Sequence, residues 1–161
     1  TYEWYPQRMG RPDLVIEQAR AMGKINDPVL RQEMMKLVSF QRASEWTAGR
    51  AKAARALGRP PGSEGSIGKL AVSEIARRCN HVHSMIAGAK GMLKESNDPI
   101  DAVIAEVLVS TPAQSIAGGT DEIQHNILGE NMLGLPKEPA VDRGMPFRDV
   151  AKGNLGTPRN S

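Results

Sequence analysis

"SIGKLAVSEIARRCNHVHSMIAGAKGML" (residues 66–93) is the stretch that decides the fold class. Its apolar residues alternate steps of four and three positions, at Ile75, Cys79, Val82, Ile86, Ala89 and Leu93. That spacing places them along one side of an α-helix, and an apolar row of this length needs a helical partner to bury it. We therefore expect a helix that begins near Ser63 or Ser66, ends at about Leu93 and packs against another helix.

The segment before this helix predicts a partner of similar length. Asp27 is expected to cap the partner helix, and Pro28 suits its first position because that backbone N–H would be unpaired in any case. Gly58 is a natural stop, so the spacing predicts a helix of about eight turns. Its apolar face includes Leu30, Met34 and Leu37, and "GRPPGSEGS" (58–66) is a tight connection to the next helix.

Three shorter helices complete the prediction. One spans about residues 12–22, one starts with Asp98 as its cap and ends before Pro112, and one spans about 120–133 before Gly134 and Pro136. The second has an apolar stripe at Ile100, Val103, Ile104, Val107 and Leu108. With no strand pattern, the sequence predicts an all-α, four-helix up-and-down bundle over residues 1–136, its first helix truncated, followed by an irregular tail over 137–161.

Composition excludes several classes of function. The chain has 161 residues and a net charge of +3, with basic residues spread along it and few aromatic residues for base stacking, which disfavours nucleic acid binding. No apolar run approaches the roughly 20 residues needed to span a membrane. The start at Thr1 indicates part of a longer protein, although processing would also explain it. Cys79 is the only cysteine, and this, with no signal peptide pattern, favours a cytoplasmic protein.

The histidines do not predict a metal site. His81 and His83 are about 200° apart around a helix, so they cannot share an ion. Cys79 and His83 share a face, but a packed core cysteine beside a histidine at the polar edge is the preferred interpretation. His125 is alone, and no serine lies in a nucleophile elbow.

Two glycine-rich stretches have both a structural and a functional interpretation. "IAGAKGML" (86–93) fits close helix packing before a stop, or backbone that a cofactor approaches. In "AGGTDEIQ" (117–124), Thr120 is expected to cap a helix whose first turn contains Asp121 and Glu122. Those acids would repel a phosphate at this helix end, so the residues alone leave open a non-phosphate part of a ligand or no ligand.

The residues also resemble a known family. "GGTDEIQHNILGENMLGLP" (118–136) resembles the C-terminal signature of acyl-CoA dehydrogenases, in which a Gly-Thr-x-x-Ile-Gln helix start precedes a Gly-Leu-Pro stop. Residues 60–93 resemble the long helices before it. "DPVLRQEMMKL" (27–37) and "EPAVDRGMPFRDV" (138–150) are similar to the bacterial, particularly actinobacterial-type, branch.

The resemblance implies an FAD-dependent oxidoreductase that forms the α,β double bond of an acyl-CoA thioester in lipid metabolism, as in fatty acid β-oxidation. Electrons would pass to an electron-transfer flavoprotein, and the protein would form a homo- or hetero-oligomer, a dimer or tetramer. By position, Gly119, Thr120 and Glu122 match residues that contact the flavin. Gly88 and Ala89 match a turn that approaches the cofactor of a neighbouring subunit.

The chain departs from the family pattern at the catalytic base. In many members a glutamate immediately precedes the Gly-Thr pair, and here that position is Gly118. We therefore assign no catalytic residue, and neither Glu3 nor Glu17 is given the role. Met85 stands where many members have glutamine, and His125 where arginine is common.

The sequence thus predicts the C-terminal, flavin-facing and oligomerising bundle of an acyl-CoA dehydrogenase, inactive as the 161 residues alone because the family's flavin and thioester sites need further domains. Two alternatives remain. The first is a base-lacking, non-catalytic subunit or assembly module of a heteromeric acyl-CoA dehydrogenase. The second is an unrelated helical interaction domain.

Overall fold

The computed structural model describes residues 6–60, 62–93, 99–137, 139, 142 and 144–150. Across them the chain forms helices α1 (Val15–Ala21), α2 (Pro28–Ala56), α3 (Glu64–Ala87), α4 (Pro99–Ser110) and α5 (Asp121–Asn131), with short 3₁₀ helices between and beside them. No strand occurs in this described part, so the prediction of an all-α fold is confirmed. No helix among these residues is long and apolar enough to cross a membrane.

Helix α2 begins where the sequence predicts. The Asp27 carboxylate accepts hydrogen bonds from the backbone N–H groups of Val29, at 2.9 Å, and Leu30, at 3.0 Å. This cap satisfies two donors that have no partner within the helix, and Pro28 follows it at the first position. The helix ends at Ala56, before Gly58 with φ 76°.

Helix α3 is the centre of the fold. Helix α2 packs along one of its sides, while α4, α5 and the 3₁₀ helix Thr111–Ser115 contact the opposite side. The main core lies where α1, α2 and α3 meet, and it contains Val15, Ala19, Leu30, Met34, Leu37, Cys79, Val82 and Ile86. Burying these side chains supplies most of the driving force that holds the three helices together.

The predicted end of α3 at Leu93 is wrong. The helix ends at Ala87, because Gly88 has φ 57° and ψ −136°, and a 3₁₀ helix continues over Gly88–Met92. Ala89 and Leu93, predicted to extend the apolar row, are exposed. The apolar row is therefore buried only as far as Ile86, the last of its members in the α-helix.

Helix α4 contributes a second, smaller buried layer. Ile104 and Val107 are fully buried as its apolar stripe predicts, and Val103 and Leu108 are partly buried. The helix packs against α3 and against the 3₁₀ helix Pro6–Met9. The predicted cap Asp98 and the side chain of Ile100 lie outside the described residues, as does Glu3.

His83 is not at the polar edge of α3 but completely buried, which corrects the sequence-based interpretation. Its Nδ1 lies 2.7 Å from Gln18 Oε1, and its Nε2 lies 3.0 Å from the carbonyl oxygen of Gly10. The segment before α1 therefore crosses α3 at this point and covers the ring. Burial lowers the pKa of His83, although backbone carbonyls partly oppose that shift.

Cys79 is a packed core residue, as the apolar row predicts. Its side chain has no exposed surface, and burial raises the pKa of the thiol to about 12. Gly10 crosses directly above it with φ 87°, and a Cβ at that position would collide with Cys79 Cβ. Glycine is required there by both backbone conformation and space.

Candidate functional site

The Gly118–Gly119–Thr120 turn joins the 3₁₀ helix Thr111–Ser115 to α5. Gly118 has φ 68° and Gly119 φ 92°, both in the left-handed region that favours glycine. A Cβ on Gly118 would meet nothing within 4 Å, and residues 117–119 are exposed. The turn therefore presents bare backbone at the protein surface, where a flat ligand can approach closely.

Two side chains, Thr120 at the cap of α5 and Gln124 in its first turn, hold this turn from within. The Thr120 hydroxyl accepts a hydrogen bond from the Ile123 N–H at 3.3 Å, as a helix cap. The Gln124 amide reaches back and donates to the Gly118 carbonyl at 3.1 Å. Gln124 fills the space beside Gly119, since a Cβ there would lie 2.7 Å from Gln124 Nε2.

Asp121 fixes the first turn of α5 to α3. The Lys69 ammonium donates to Oδ1 at 2.6 Å, and Arg77 Nη1 donates to Oδ2 at 2.7 Å. The same Arg77 nitrogen also donates to the Ser115 hydroxyl at 2.7 Å. We call Lys69, Arg77 and Asp121 the Asp121 cluster. It joins both ends of the 116–120 segment to one face of α3.

The charge of Asp121 is therefore directed into the protein. Burial alone would raise the pKa of its carboxyl, but hydrogen bonds from Lys69 and Arg77, helped by Ser73 and Ser115, hold that pKa well below its usual range. The expectation that Asp121 repels an anionic ligand at the turn is thus weakened by its two cationic partners. Glu122 is exposed, and its pKa is lowered by its own backbone N–H and by the Thr120 hydroxyl.

The second predicted turn, at Gly88 and Ala89, lies at the other end of α3. A Cβ on Gly88 would meet nothing within 4 Å, and both residues are exposed. Lys24 Nζ donates to the carbonyl oxygens of Met85, at 2.9 Å, and Ile86, at 2.8 Å, which closes the end of the helix. In the same stretch Gly91 is buried, and a Cβ there would lie 3.2 Å from Leu108 Cδ1, so that glycine serves close packing.

The two turns do not form one site within the described part of the chain. Asp121 binds α3 between Lys69 and Arg77, whereas Gly88 follows the last turn of that helix. At a rise of 1.5 Å per residue, the separation along the axis is roughly 20 Å. Gly119, Thr120 and Glu122 belong together, and Gly88 and Ala89 belong to a separate surface.

The described residues near the turn offer no unengaged buried carboxylate for proton abstraction. Asp121 is held by two cations, and Glu122 is exposed at the start of α5. Glu17 is exposed on α1, and His125 is exposed on α5. Nor does any group of three or more His, Cys, Asp or Glu side chains in the described regions form a geometry that could hold a metal ion.

Sequence reasoning missed Lys69, Arg77 and Gln124. Lys69, Ser73 and Arg77 are four residues apart on α3, opposite its apolar row, and such a polar stripe is normally solvated. The burial of Lys69 and Ser73 depends on the 3₁₀ helix Thr111–Ser115 and the start of α5 packing there, and Asp121 lies 52 positions from Lys69. The polar stripe on α3 was visible in the sequence, but residue spacing could not identify Asp121 as the residue that binds it.

Comparison with known proteins gives consistent matches. Residues 15–133 match the family described as "Acyl-CoA dehydrogenase, C-terminal domain". Acyl-CoA dehydrogenase IpdE1 of Mycolicibacterium smegmatis is 30% identical over 128 residues, which are 77% of this chain and 30% of the relative. The protein of the same name from Mycobacterium tuberculosis is 27% identical over 130 residues, 77% of this chain and 31% of its own length. The chain thus spans about a third of these curated relatives.

Solved structures with a similar fold include a protein titled "Tcur3481-Tcur3483 steroid ACAD", with a TM-score of 0.68 and 17% identity over 81% of this chain and 35% of that one. The crystal structure of the ChsE4-ChsE5 complex from Mycobacterium tuberculosis matches with a TM-score of 0.62 and 15% identity, covering 79% of this chain and 37% of the other. At these identities the likeness shows the shared helical fold.

Proposed function

The chain belongs to the acyl-CoA dehydrogenase family, and on that premise we propose that it forms the C-terminal, flavin-facing and subunit-contacting domain of an FAD-dependent acyl-CoA dehydrogenase. The reaction is the α,β-dehydrogenation of an acyl-CoA thioester, with an electron-transfer flavoprotein as electron acceptor. Because the family is established, the alternative of an unrelated helical interaction domain is wrong. The proposal depends most on one observation, the exposed Gly118–Thr120 turn held rigidly at the start of α5.

The residues at this turn fit a flat, polar ring system. Two glycines with positive φ keep side chains away from the outer surface, and Thr120 and Glu122 border it. Asp121 adds no unpaired charge, since Lys69 and Arg77 neutralise it. We propose Gly119, Thr120 and Glu122 as flavin contacts, and Gly88 and Ala89 as contacts to the cofactor of a neighbouring subunit. The separation of roughly 20 Å along α3 supports assigning the two turns to different cofactors.

The part played by this chain is binding and orientation. When bound, FAD supplies the acceptor for the hydride that leaves the β carbon of the thioester. The turn offers backbone groups and the Thr120 hydroxyl at fixed positions, and hydrogen bonds in a preorganised site cost no rearrangement during reaction. The α proton requires a carboxylate, and with glycine at position 118 that base has to come from another segment or another subunit.

FAD binding tests this proposal. We would titrate FAD into the product of the whole gene that encodes this chain, purified with its flavin removed, and follow flavin fluorescence. Saturable quenching is the expected result, and a Thr120→Val variant should bind more weakly because it loses the hydroxyl. No change in fluorescence for the wild type would refute a flavin-facing role. The 161 residues alone are expected to show no acyl-CoA-dependent flavin bleaching, and bleaching would contradict the need for further domains.

A second candidate is the base-lacking subunit or assembly module of a heteromeric acyl-CoA dehydrogenase. Gly118 favours it, and both structural relatives described above have titles that name two different chains. The surface also suits subunit contacts. Between α2 and α3 lies an open groove of about 290 Å³ lined largely by small or apolar residues. Ile123, Met132, Leu133 and Leu135 are exposed in and after α5.

Subunit composition separates the two candidates. The protein would be purified at its native expression level and its subunits identified by mass spectrometry. A second, different acyl-CoA dehydrogenase chain present in a fixed ratio supports the heteromeric candidate. A homo-oligomer with one FAD per chain and full turnover would exclude it.

A further inference from the structure

One nitrogen of Arg77 closes the loop that contains the glycine turn. Arg77 Nη1 donates to the Ser115 hydroxyl before residues 116–120 and to Asp121 Oδ2 after them, each at 2.7 Å. Both ends of the segment are therefore fixed to the same atom. Lys69 holds the other oxygen of Asp121 at 2.6 Å, so the carboxylate cannot rotate away. This geometry restrains the turn on the side that faces α3 and leaves its solvent-facing side free.

We propose that Lys69 and Arg77 are positioning residues, which act through Asp121 and Ser115 to set the conformation of the Gly118–Thr120 turn for the flavin. The inference rests on the function proposed above and deepens it, because it identifies what holds the flavin-facing backbone in place. None of these side chains needs to touch the cofactor. Their effect is to fix where the bare backbone of the turn stands relative to α3.

Burial distinguishes the Lys69–Asp121 pair of this cluster from an ordinary surface ion pair, whereas the Arg77 side chain is half exposed. The side chains of Lys69 and Asp121 are 13% and 11% exposed, whereas Lys36 and Glu33 on α2 are 58% and 24% exposed at the same separation of 2.6 Å. An exposed pair contributes little because water and salt screen it. Two buried charges have lost most of their hydration, so each depends strongly on the other for compensation. Removing Lys69 therefore affects the position of Asp121 more than removing Lys36 affects Glu33.

The cluster also lies next to the residues that shape the turn. Asp121 follows Thr120, whose hydroxyl caps α5, and Gln124 one turn later bonds to the Gly118 carbonyl. A shift of Asp121 moves the first turn of α5 and with it both of these contacts. A positioning error of about 1 Å far from the reacting atoms can reduce catalysis about a hundredfold, so such a shift matters for a cofactor contact.

Hydrogen exchange on the 161-residue chain tests the restraint directly. The probes are the amides of Ala117, Ile123 and Gln124, which bond to Ala113 O, Thr120 Oγ1 and Thr120 O. Lys69→Met should speed their exchange about tenfold or more, while amides in the first half of α2 remain unchanged. Lys69→Arg should restore slow exchange, because it keeps a donor to Asp121, and Lys36→Met is the matched control with no expected effect.

Ser115→Ala is the milder variant in case Lys69→Met folds poorly. It removes one of the two hydrogen bonds that Arg77 Nη1 donates and should speed exchange at Ala117 more than at Gln124. Unchanged exchange at all three probes in both variants would overturn the restraint. Equal acceleration throughout the protein would also overturn it, since it would show a general loss of stability instead of a local role.

The flavin is tested in the product of the whole gene by titrating FAD into the apoprotein. Lys69→Met should weaken FAD affinity about tenfold and alter the visible absorption of the bound flavin, with Lys69→Arg close to wild type. A faster-exchanging turn with unchanged affinity and spectrum would overturn the positioning role. If the wild type binds no FAD, the proposed function fails and the flavin part of this inference fails with it. The exchange data still decide whether the cluster restrains the turn.

Discussion

Lys24 closes the C-terminal end of α3 from a distance of 62 positions in the chain, by donating from its ammonium to the Ile86 carbonyl at 2.8 Å. The last carbonyl groups of a helix have no partner within it and stand at the negative end of the helix dipole. The Lys24 ammonium, from the α1–α2 connection, supplies both a hydrogen-bond donor for these carbonyls and a positive charge at this helix end. It also fixes the point at which Gly88 turns the chain out of the helix.

Replacing Lys24 with Met should lower the free energy of unfolding by about 1–2 kcal/mol, because two helix-end carbonyls lose a charged donor. Urea denaturation followed by circular dichroism measures the change. Arg20→Met is the control, since Arg20 is an exposed cation on the neighbouring helix α1, and it should change stability by no more than about 0.5 kcal/mol. Equal effects of the two variants would show that Lys24 has no capping role.

Local chemistry and tertiary contacts account for what the sequence did and did not predict here. The start of α2 was predictable because its signals are local: the Asp27 side chain caps the N–H groups of Val29 and Leu30, and Pro28 occupies the first helical position. The end of α3 was not, since the apolar spacing continues to Leu93 although Gly88, with φ 57°, ends the α-helix at Ala87. The burial of His83 depends on Gly10 and Gln18, both more than 60 positions away. The Gly-Gly-Thr turn was identified, whereas the cluster beneath it required knowing where α5 packs on α3.

His83 should make stability depend on pH near neutrality. Burial lowers its pKa from the ordinary value of 6.5, so the unfolded chain binds a proton at a pH where the folded protein does not. Stability from this residue is present above pH 6.5 and is lost as the pH falls below that value. Urea denaturation at a series of pH values measures this. His83→Gln should be less stable at neutral pH and should lose the decline near pH 6, whereas an unchanged decline would assign it to another group.

Asp121 should make stability depend on pH in a separate, more acidic range than His83 does. Its folded pKa lies below the ordinary value of 3.8, so its stabilising effect is present above pH 3.8 and is lost as the pH falls further. Asp121→Asn should therefore cost about 3 kcal/mol at neutral pH, because Lys69 then remains buried with only an amide as partner. The difference in free energy of unfolding between Asp121→Asn and the wild type should shrink as the pH falls below 3.8. A difference that stays constant into acid would show that charge is not what holds α5 to α3.

Cys79 should be unreactive in the folded protein. The thiol is fully buried and its pKa is raised to about 12, so almost no thiolate is present or accessible near neutral pH. Labelling with a thiol-specific disulfide reagent should therefore proceed only as fast as the protein unfolds. A Ser84→Cys variant gives the matched control, because Ser84 is exposed on the same helix and should react immediately. Rapid labelling of the wild type would place Cys79 outside the core.

The two glycines of the turn should respond differently to alanine. Gly118→Ala should cost about 1 kcal/mol, since φ 68° is strained for alanine but its Cβ meets nothing within 4 Å. Gly119→Ala should cost about 2–3 kcal/mol, because φ 92° is combined with a Cβ only 2.7 Å from Gln124 Nε2. Gly49→Ala in α2 is the control and should stabilise by roughly 0.5–1 kcal/mol, as expected for alanine in a helix. Urea denaturation of the three variants gives the order, and a smaller loss at Gly119 than at Gly118 would refute the packing of Gln124 against the turn.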